Sequence, residues 1–248
     1  MSRRQNRYIT FFAVFLVMHF TGLLVAGLPY VLNAMITSLV VAGTLLVCVW
    51  RKGDRWPDLA KKTGAGTATR KDLLPGLVLA TALLLSYPLL GAFLHAELFL
   101  AKDWLLNLAG LFLTGGLTEE ILFRGYLFGG LRQKQDFRKA AINAAIFFTM
   151  AHLLLFAYMS WPVALLSTLL AGASAVPLAF LFEKGNNTVW SPAIVHTVIR
   201  TIGLVITTDE KHFPLFSLLW ITLCMIMPYL VLCFYRDFRS IWIPKRAA

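Results

Sequence analysis

The residues able to do chemistry sit inside three apolar stretches. Thr118-Glu119-Glu120-Ile121-Leu122-Phe123-Arg124-Gly125 lies in the first, Phe148-Thr149-Met150-Ala151-His152 in the second and His196-Thr197-Val198-Ile199-Arg200 in the third. Glu120 and Arg124 are four residues apart, so on a helix they share a face and can pair. Glu119 then points about 100° away and is the carboxylate left free to face a cavity. The bland alternative is that both glutamates serve one ion-pair network that locks helices together. A glutamate and a histidine around water can activate it for hydrolysis, because a carboxylate withdrawn from water accepts protons more readily. A second polar donor could stabilise the oxyanion of a tetrahedral intermediate. The set Glu119, His152 and His196 could instead ligate one divalent metal such as zinc. The single-helix HExxH arrangement is absent.

The elements that must position these groups follow from composition. Of 248 residues, 58% are hydrophobic and 14% charged, and the mean hydropathy is +0.72. Soluble domains carry about 25% charged residues, so a cytosolic globular protein, a disordered tail and a disulfide scaffold are excluded. What remains is an all-α polytopic membrane bundle, a single integral membrane domain over residues 1–248. Eight spans are predicted: two within Ile9 to Trp50, divided at Gly27-Leu28-Pro29, then Leu74 to Leu94, Trp104 to Leu131, Ala140 to Tyr158, Pro162 to Phe182, Thr188 to Ile206 and Leu215 to Tyr235. Trp50, Trp104, Trp161 and Trp190 mark span ends, as interfacial aromatics do. Charge at mid-membrane costs on the order of 3 kcal/mol per group even on the lenient insertion scale, so several such groups imply function. At 1.5 Å per residue, Glu119 and His152 each lie about 18 Å from the basic-side end of their spans and His196 about 12 Å, which allows them to converge in the inner half of the bilayer. His19 and His95 are read as packing residues.

The net charge of +11 reports topology and not a nucleic-acid surface. Of the 23 Lys and Arg, 19 fall in the tails or alternate loops and two in the opposite loops, Lys102 and Lys211, leaving Arg124 and Arg200 within apolar segments. That bias places both termini in the cytoplasm. Cys48, Cys224 and Cys233 form no CxxC pair and are expected to pack. The first apolar run continues too far for a secretory signal, and no A-x-A site follows, so it reads as the first span. No internal repeat is visible, which weakens an inverted-repeat transporter.

EExxxR, then FxxxH, then a histidine on a later span, led by Leu181-Phe182-Glu183-Lys184-Gly185-Asn186-Asn187-Thr188-Val189-Trp190-Ser191-Pro192, resembles the CPBP family of CAAX proteases and bacteriocin-processing (Abi) enzymes over residues 110–201. The resemblance implies an eight-helix intramembrane endopeptidase; eukaryotic members trim prenylated C-termini. It implies Glu119 as the base, His152 helping to activate water and His196 contributing to the oxyanion site; Glu120, Arg124, Phe148 and Arg200 are read as supporting residues. The family is often labelled a metalloprotease; the reading favoured here is a metal-free glutamate mechanism. The family's last motif has Asn or Asp four residues after the histidine, and Arg200 stands there instead. Arg donates but does not accept hydrogen bonds. It therefore either takes over oxyanion stabilisation or signals altered substrate choice or lost activity. Arg200 also shares a helical face with His196. Its partner is either Glu119 or, preferred because it leaves the base unencumbered, a substrate carboxylate or oxyanion.

Rival readings are a rhomboid-like serine protease using Ser174 with His196, and a non-enzymatic immunity protein, scaffold or transporter. The expected partners are the lipid bilayer and a membrane-associated protein or peptide, with no nucleic acid. The expected location is a bacterial inner or plasma membrane. Cysteines introduced at Ser2 and Ala248 should stay shielded from an impermeant thiol reagent in intact cells and react once the membrane is opened. Labelling of either from outside would overturn the topology.

Overall fold

A computed structural model describes residues 3–50 and 55–241. Ser2, Ala248 and the first residues of the basic loop, 51–54, lie outside the described residues. The chain is a helical bundle and an integral membrane protein. Among the described residues, seven helices are long and apolar enough to cross a membrane. Large apolar side chains cover the outside, as a lipid solvent allows: Leu24 is 86% exposed, Val47 81% and Phe93 73%. The interior instead gathers Phe11, Phe123, Phe128, Phe148, Tyr87 and Trp220, all nearly fully buried.

Helices α1 (Arg3–Leu24) and α2 (Tyr30–Val49) form the first hairpin. Pro29 caps α2 from outside, and the Asn33 amide donates to the Gly22 carbonyl at 3.0 Å, tying the hairpin shut. The basic loop folds a short helix, α3 (Trp56–Thr63), with a proline in its first turn and Lys61 and Lys62 in its last, where cations suit the dipole. Gly64 ends it at φ +71°, a conformation glycine adopts without strain. Helix α4 (Arg70–Leu94) starts on Thr69, whose backbone N–H and hydroxyl both donate to the Asp72 carboxylate at 2.7 and 2.8 Å. His95 ends α4 at φ +52° and is exposed, so it is a cap and not the packing residue expected.

After strand β1 (Leu98–Leu100) comes α5 (Trp104–Arg132), the longest helix. It is not uniform: Phe112–Glu119 and Ile121–Phe128 are π-helical, with a single α-helical residue, Glu120, between them. Helix α6 (Phe137–His152) is capped by Asp136, whose carboxylate accepts from the Lys139 N–H at 2.8 Å, and it runs into a 3₁₀ turn, Leu153–Ala157. Helix α7 (Trp161–Lys184) packs closely on α6, where a Cβ on Gly172 would stand 3.0 Å from the Thr149 hydroxyl. Trp50, Trp104, Trp161 and Trp190 all stand at helix ends.

The seventh of the eight expected spans is corrected. Helix α8 (Trp190–Ile199) has ten residues, about 15 Å, too few to cross alone. The helix stops before a β-branched run, Val205 to Thr208, preceded by Gly203 at φ +77°, a sequence that favours extended chain. Strand β2 (Ile206–Thr208) then pairs antiparallel with β1, Leu98 opposite Thr208 and Leu100 opposite Ile206. Non-helical backbone within a membrane bundle is tolerated where protein groups satisfy it. Trp220 donates its indole N–H to the Ile199 carbonyl at 3.1 Å, Asn107 its amide to Leu204 at 2.8 Å, and the Tyr87 and Thr201 hydroxyls bond at 2.9 Å. At its other end α8 is tied to the basic loop: the Trp190 indole N–H donates to Gly66 at 2.7 Å and the Val189 N–H to Gly64 at 2.9 Å. Helices α9 (Phe213–Leu232) and α10 (Arg236–Ser240) close the bundle. Cys224 is buried, whereas Cys48 and Cys233 are exposed on the apolar exterior, so packing describes only one of the three.

The end of α3 sits directly on α5. A Cβ on Gly125 would lie 1.8 Å from the Thr63 carbonyl oxygen, which is backbone and cannot step aside. Gly125→Ala should therefore lower stability by about 1–3 kcal/mol, the usual penalty for overpacking. Gly129→Ala, one turn on, meets nothing nearer than 3.4 Å and should be close to neutral in thermal unfolding of the detergent-purified protein.

Candidate active site

The site forms where α5 crosses α8, and two glycines set how near they come. A Cβ on Gly116 would stand 2.5 Å from the Thr197 hydroxyl, and one on Gly115 2.5 Å from Arg200 Nη1 and 2.8 Å from its Cδ. Only a bare backbone on α5 lets α8 lay His196 and Arg200 against it. The wider π-helical turns begin at the same place. Such bulges insert extra residues into a helix, often at functional sites.

Glu120 and Arg124 pair as the spacing predicts, Oε1 to Nη1 at 2.8 Å, with side chains 0% and 3% exposed. The same Oε1 lies 2.6 Å from His196 Nδ1 on α8. The Arg124 guanidinium also lies over the Phe148 ring, 4.3 Å from its centroid, a cation–π contact in a dry setting. Phe148 in turn meets the His152 ring edge-on at 4.8 Å and the His196 ring at 6.1 Å. His152 closes α6, and its Nδ1 is spent on the Phe148 carbonyl at 2.9 Å. Glu119, Glu120, Arg124, Phe148, His152, His196 and Arg200 thus form one cluster.

Glu119 is not free. Arg200, at the C-cap of α8, donates Nη1–H to its Oε1 at 2.9 Å. The expectation that Glu119 faces a cavity without a partner is corrected: of the two partners open to Arg200, the resting site holds Glu119. The reason is that α8 ends one residue before Arg200 and Gly115 leaves room for the guanidinium to fold back onto α5. The other Glu119 oxygen lies 3.8 Å from His196 Nε2, too long for a hydrogen bond. No hydrogen bond joins Glu119 to His152 among the described residues. Two clefts of about 410 and 480 Å³ lie elsewhere, one beside Gly66, Phe112 and Trp190 and one beside Lys134 and Asn143. The cluster is instead approached along the Arg200 side chain, 36% exposed, beside Glu119 at 16%.

Two alternatives can be tested on this geometry. For zinc, the donor set as arranged does not fit. Arg200 covers one oxygen of Glu119, His152 spends Nδ1 on backbone, and among the described residues no three His, Cys, Asp or Glu side chains are grouped to hold an ion. For a serine nucleophile, Ser174 is buried and donates to its own helix at Ala171, 3.2 Å away, while both His196 nitrogens face glutamates.

Gly115-Gly116 is the feature of the candidate site that residue chemistry alone passes over. Its signal was present: two adjacent glycines inside an apolar helix cost about 1 kcal/mol each relative to alanine. Such a pair marks a close approach.

Residues 101–202 match the family model described as type II CAAX prenyl endopeptidase, Rce1-like. The matched segment takes in all of α5 to α8 and every residue of the cluster, and agrees with the CAAX-protease resemblance of the motifs. The match supports a CAAX-type intramembrane protease at the level of the family. No curated protein matches the chain.

Truncating a buried ion pair on one side leaves an unpaired charge, at a cost of about 3–5 kcal/mol. Glu120→Ala should fall in that range, because Arg124 is almost wholly buried. Glu119→Ala should cost clearly less, since Arg200 is a third exposed. Chemical denaturation of the two variants side by side checks the order.

Proposed function

We propose that this chain is an intramembrane endopeptidase that hydrolyses a peptide bond of a membrane-associated protein or peptide, with Glu119 as general base. The observation that carries the reading is the face-to-face placement of Glu119 Oε2 and His196 Nε2, 3.8 Å apart, with the ring anchored through Nδ1 on Glu120. A neutral ring donating Nδ1–H to Glu120 presents Nε2 as an acceptor. Water lying against both groups gives one hydrogen to each and keeps a lone pair for the scissile carbonyl.

In the step itself the water oxygen bonds to the carbonyl carbon and one water proton passes to Glu119. The carbonyl π pair becomes the oxyanion. As the tetrahedral intermediate collapses, the C–N bond breaks and Glu119 returns the proton to the leaving amine. These distances favour His196 as the second partner of the water. His152, with Nδ1 on the Phe148 carbonyl, keeps Nε2 for the open side. In its protonated form that nitrogen donates to the oxyanion. The carboxylate and imidazoles suffice for every proton transfer, in keeping with a metal-free glutamate mechanism. The family match makes prenylated C-termini the first substrates to try.

A second reading rests on the 2.9 Å Arg200–Glu119 pair: a non-proteolytic member in which Arg200 locks the base. The two readings part on one experiment. A membrane-anchored C-terminal reporter, prenylated and unprenylated, is co-expressed with the parent and with Glu119→Gln. The amide cannot take the water's proton, so cleavage should fall by a factor on the order of 100 or more while membrane insertion is unchanged. Full cleavage by Glu119→Gln would remove the base from the mechanism. A parent that cleaves neither reporter favours the locked reading.

A further inference from the structure

Arg200 poses a problem that the protease reading must answer. A general base has to be available, yet Glu119 is held by a guanidinium. Arg124, the other cation of the cluster, also makes one side-chain hydrogen bond, but it lies buried against the Phe148 ring with its Nη2 closed off. Three features mark Arg200. It makes one hydrogen bond, through Nη1 to a single oxygen of Glu119, whereas a guanidinium offers five N–H groups in a fork that matches a carboxylate two-to-two. Its side chain is 36% exposed, so the rest of that fork is accessible. Its seat is built into the helix beside it: Gly115 on α5 leaves the space that Nη1 and Cδ fill.

Charge completes the case. Glu119, Glu120, Arg124 and Arg200 sum to zero, so the resting cluster is neutral as a unit. An incoming carboxylate that forks onto Arg200 replaces a one-bond pair with a two-bond pair. It leaves Glu119 a carboxylate without its cation, beside a new negative charge, and therefore a readier proton acceptor. Freed from Arg200, Glu119 Oε2 can widen its 3.8 Å separation from His196 Nε2 slightly to admit a shared water.

We propose that Arg200 is the carboxylate receptor of this site and that Glu119 is its internal stand-in, displaced by a peptide bearing a free C-terminal carboxylate. The inference rests on the protease reading for its purpose, but the exchange on Arg200 is a binding event that can be measured without cleavage. Arg200 thereby selects the substrate by its free terminus and couples that selection to release of the base. An amidated or internal peptide leaves Glu119 latched.

The probe is a decanoylated tetra-alanine, as the free acid and as the C-terminal amide, titrated calorimetrically into the purified full-length protein in nanodiscs, with empty nanodiscs as blank. The parent should bind the acid at least about tenfold more tightly than the amide, the scale of one charge-assisted contact. Arg200→Asn should bind the two within about twofold, and Arg200→Lys, which keeps the charge without the fork, should fall between. Glu119→Gln should tighten binding of the acid by roughly threefold or more while leaving the amide unchanged, because the competitor for Arg200 has lost its charge. A merely structural Arg200 would not give that gain. Equal binding of acid and amide by the parent, an undiminished acid preference in Arg200→Asn, or no gain in Glu119→Gln would each overturn the proposal. Should the binding pattern hold while Glu119→Gln cleaves the reporter as well as the parent, the carboxylate site stands and the protease mechanism falls.

Discussion

One oxygen atom joins the two halves of the site. Glu120 Oε1 accepts from Arg124 on its own helix at 2.8 Å and lies 2.6 Å from His196 Nδ1 on α8. Everything nearby depends on that junction. It fixes the tilt and proton of the His196 ring, so that Nε2 points at Glu119. It holds Arg124 over Phe148, whose ring is the wall that both histidines lean on. A buried ion pair gains little net stability over apolar side chains of the same shape. In this cluster its value is positional: it sets where the reacting groups stand.

The junction requires a local helix geometry that does not follow from regular periodicity. Between the π-helical stretches Phe112–Glu119 and Ile121–Phe128, Glu120 alone keeps α-helical bonding. Thr118 reaches back five residues to the Leu113 carbonyl at 2.7 Å, and Ser38 of α2 donates to that same carbonyl at 3.1 Å. A widened turn leaves carbonyls poorly served, and neighbouring hydroxyls take them up. The backbone of the site is thus served in part by the first hairpin, which carries none of the proposed chemistry.

Much of this was legible in the residues. Charge bias and tryptophans located the span ends, and a four-residue spacing gave the Glu120–Arg124 pair, because both signals depend on local geometry and on the solvent. The grouping of Glu119, His152 and His196 followed from depth along their helices. Three things were not legible. The end of α8 at Ile199 is a tertiary outcome, since an apolar run cannot distinguish a full span from a half-helix continued as extended chain whose carbonyls are met by Trp220 and Asn107. The π-helical turns shift side-chain angles away from the 100° step used to separate Glu119 from Glu120. The partner of Arg200 was open between two candidates, because pairing across helices depends on how closely they approach, and that distance was written in Gly115 and Gly116 rather than in any charged residue.

The position of Arg200 ties these threads together. An asparagine, the residue usual at this place in the family that the motifs resemble, carries no charge and would leave Glu119 unpaired at the heart of an apolar bundle. With arginine the two carboxylates and two guanidiniums form a neutral cluster, so each carboxylate inside the apolar bundle has a cation beside it. The cost is that the cluster's most exposed cation engages Glu119, the base we propose. Arg200 and Gly115 are therefore a matched pair: the bulk of one is admitted by the missing side chain of the other. Any account of what this branch binds has to begin from that pair, since whatever enters the site meets Arg200 before it meets Glu119.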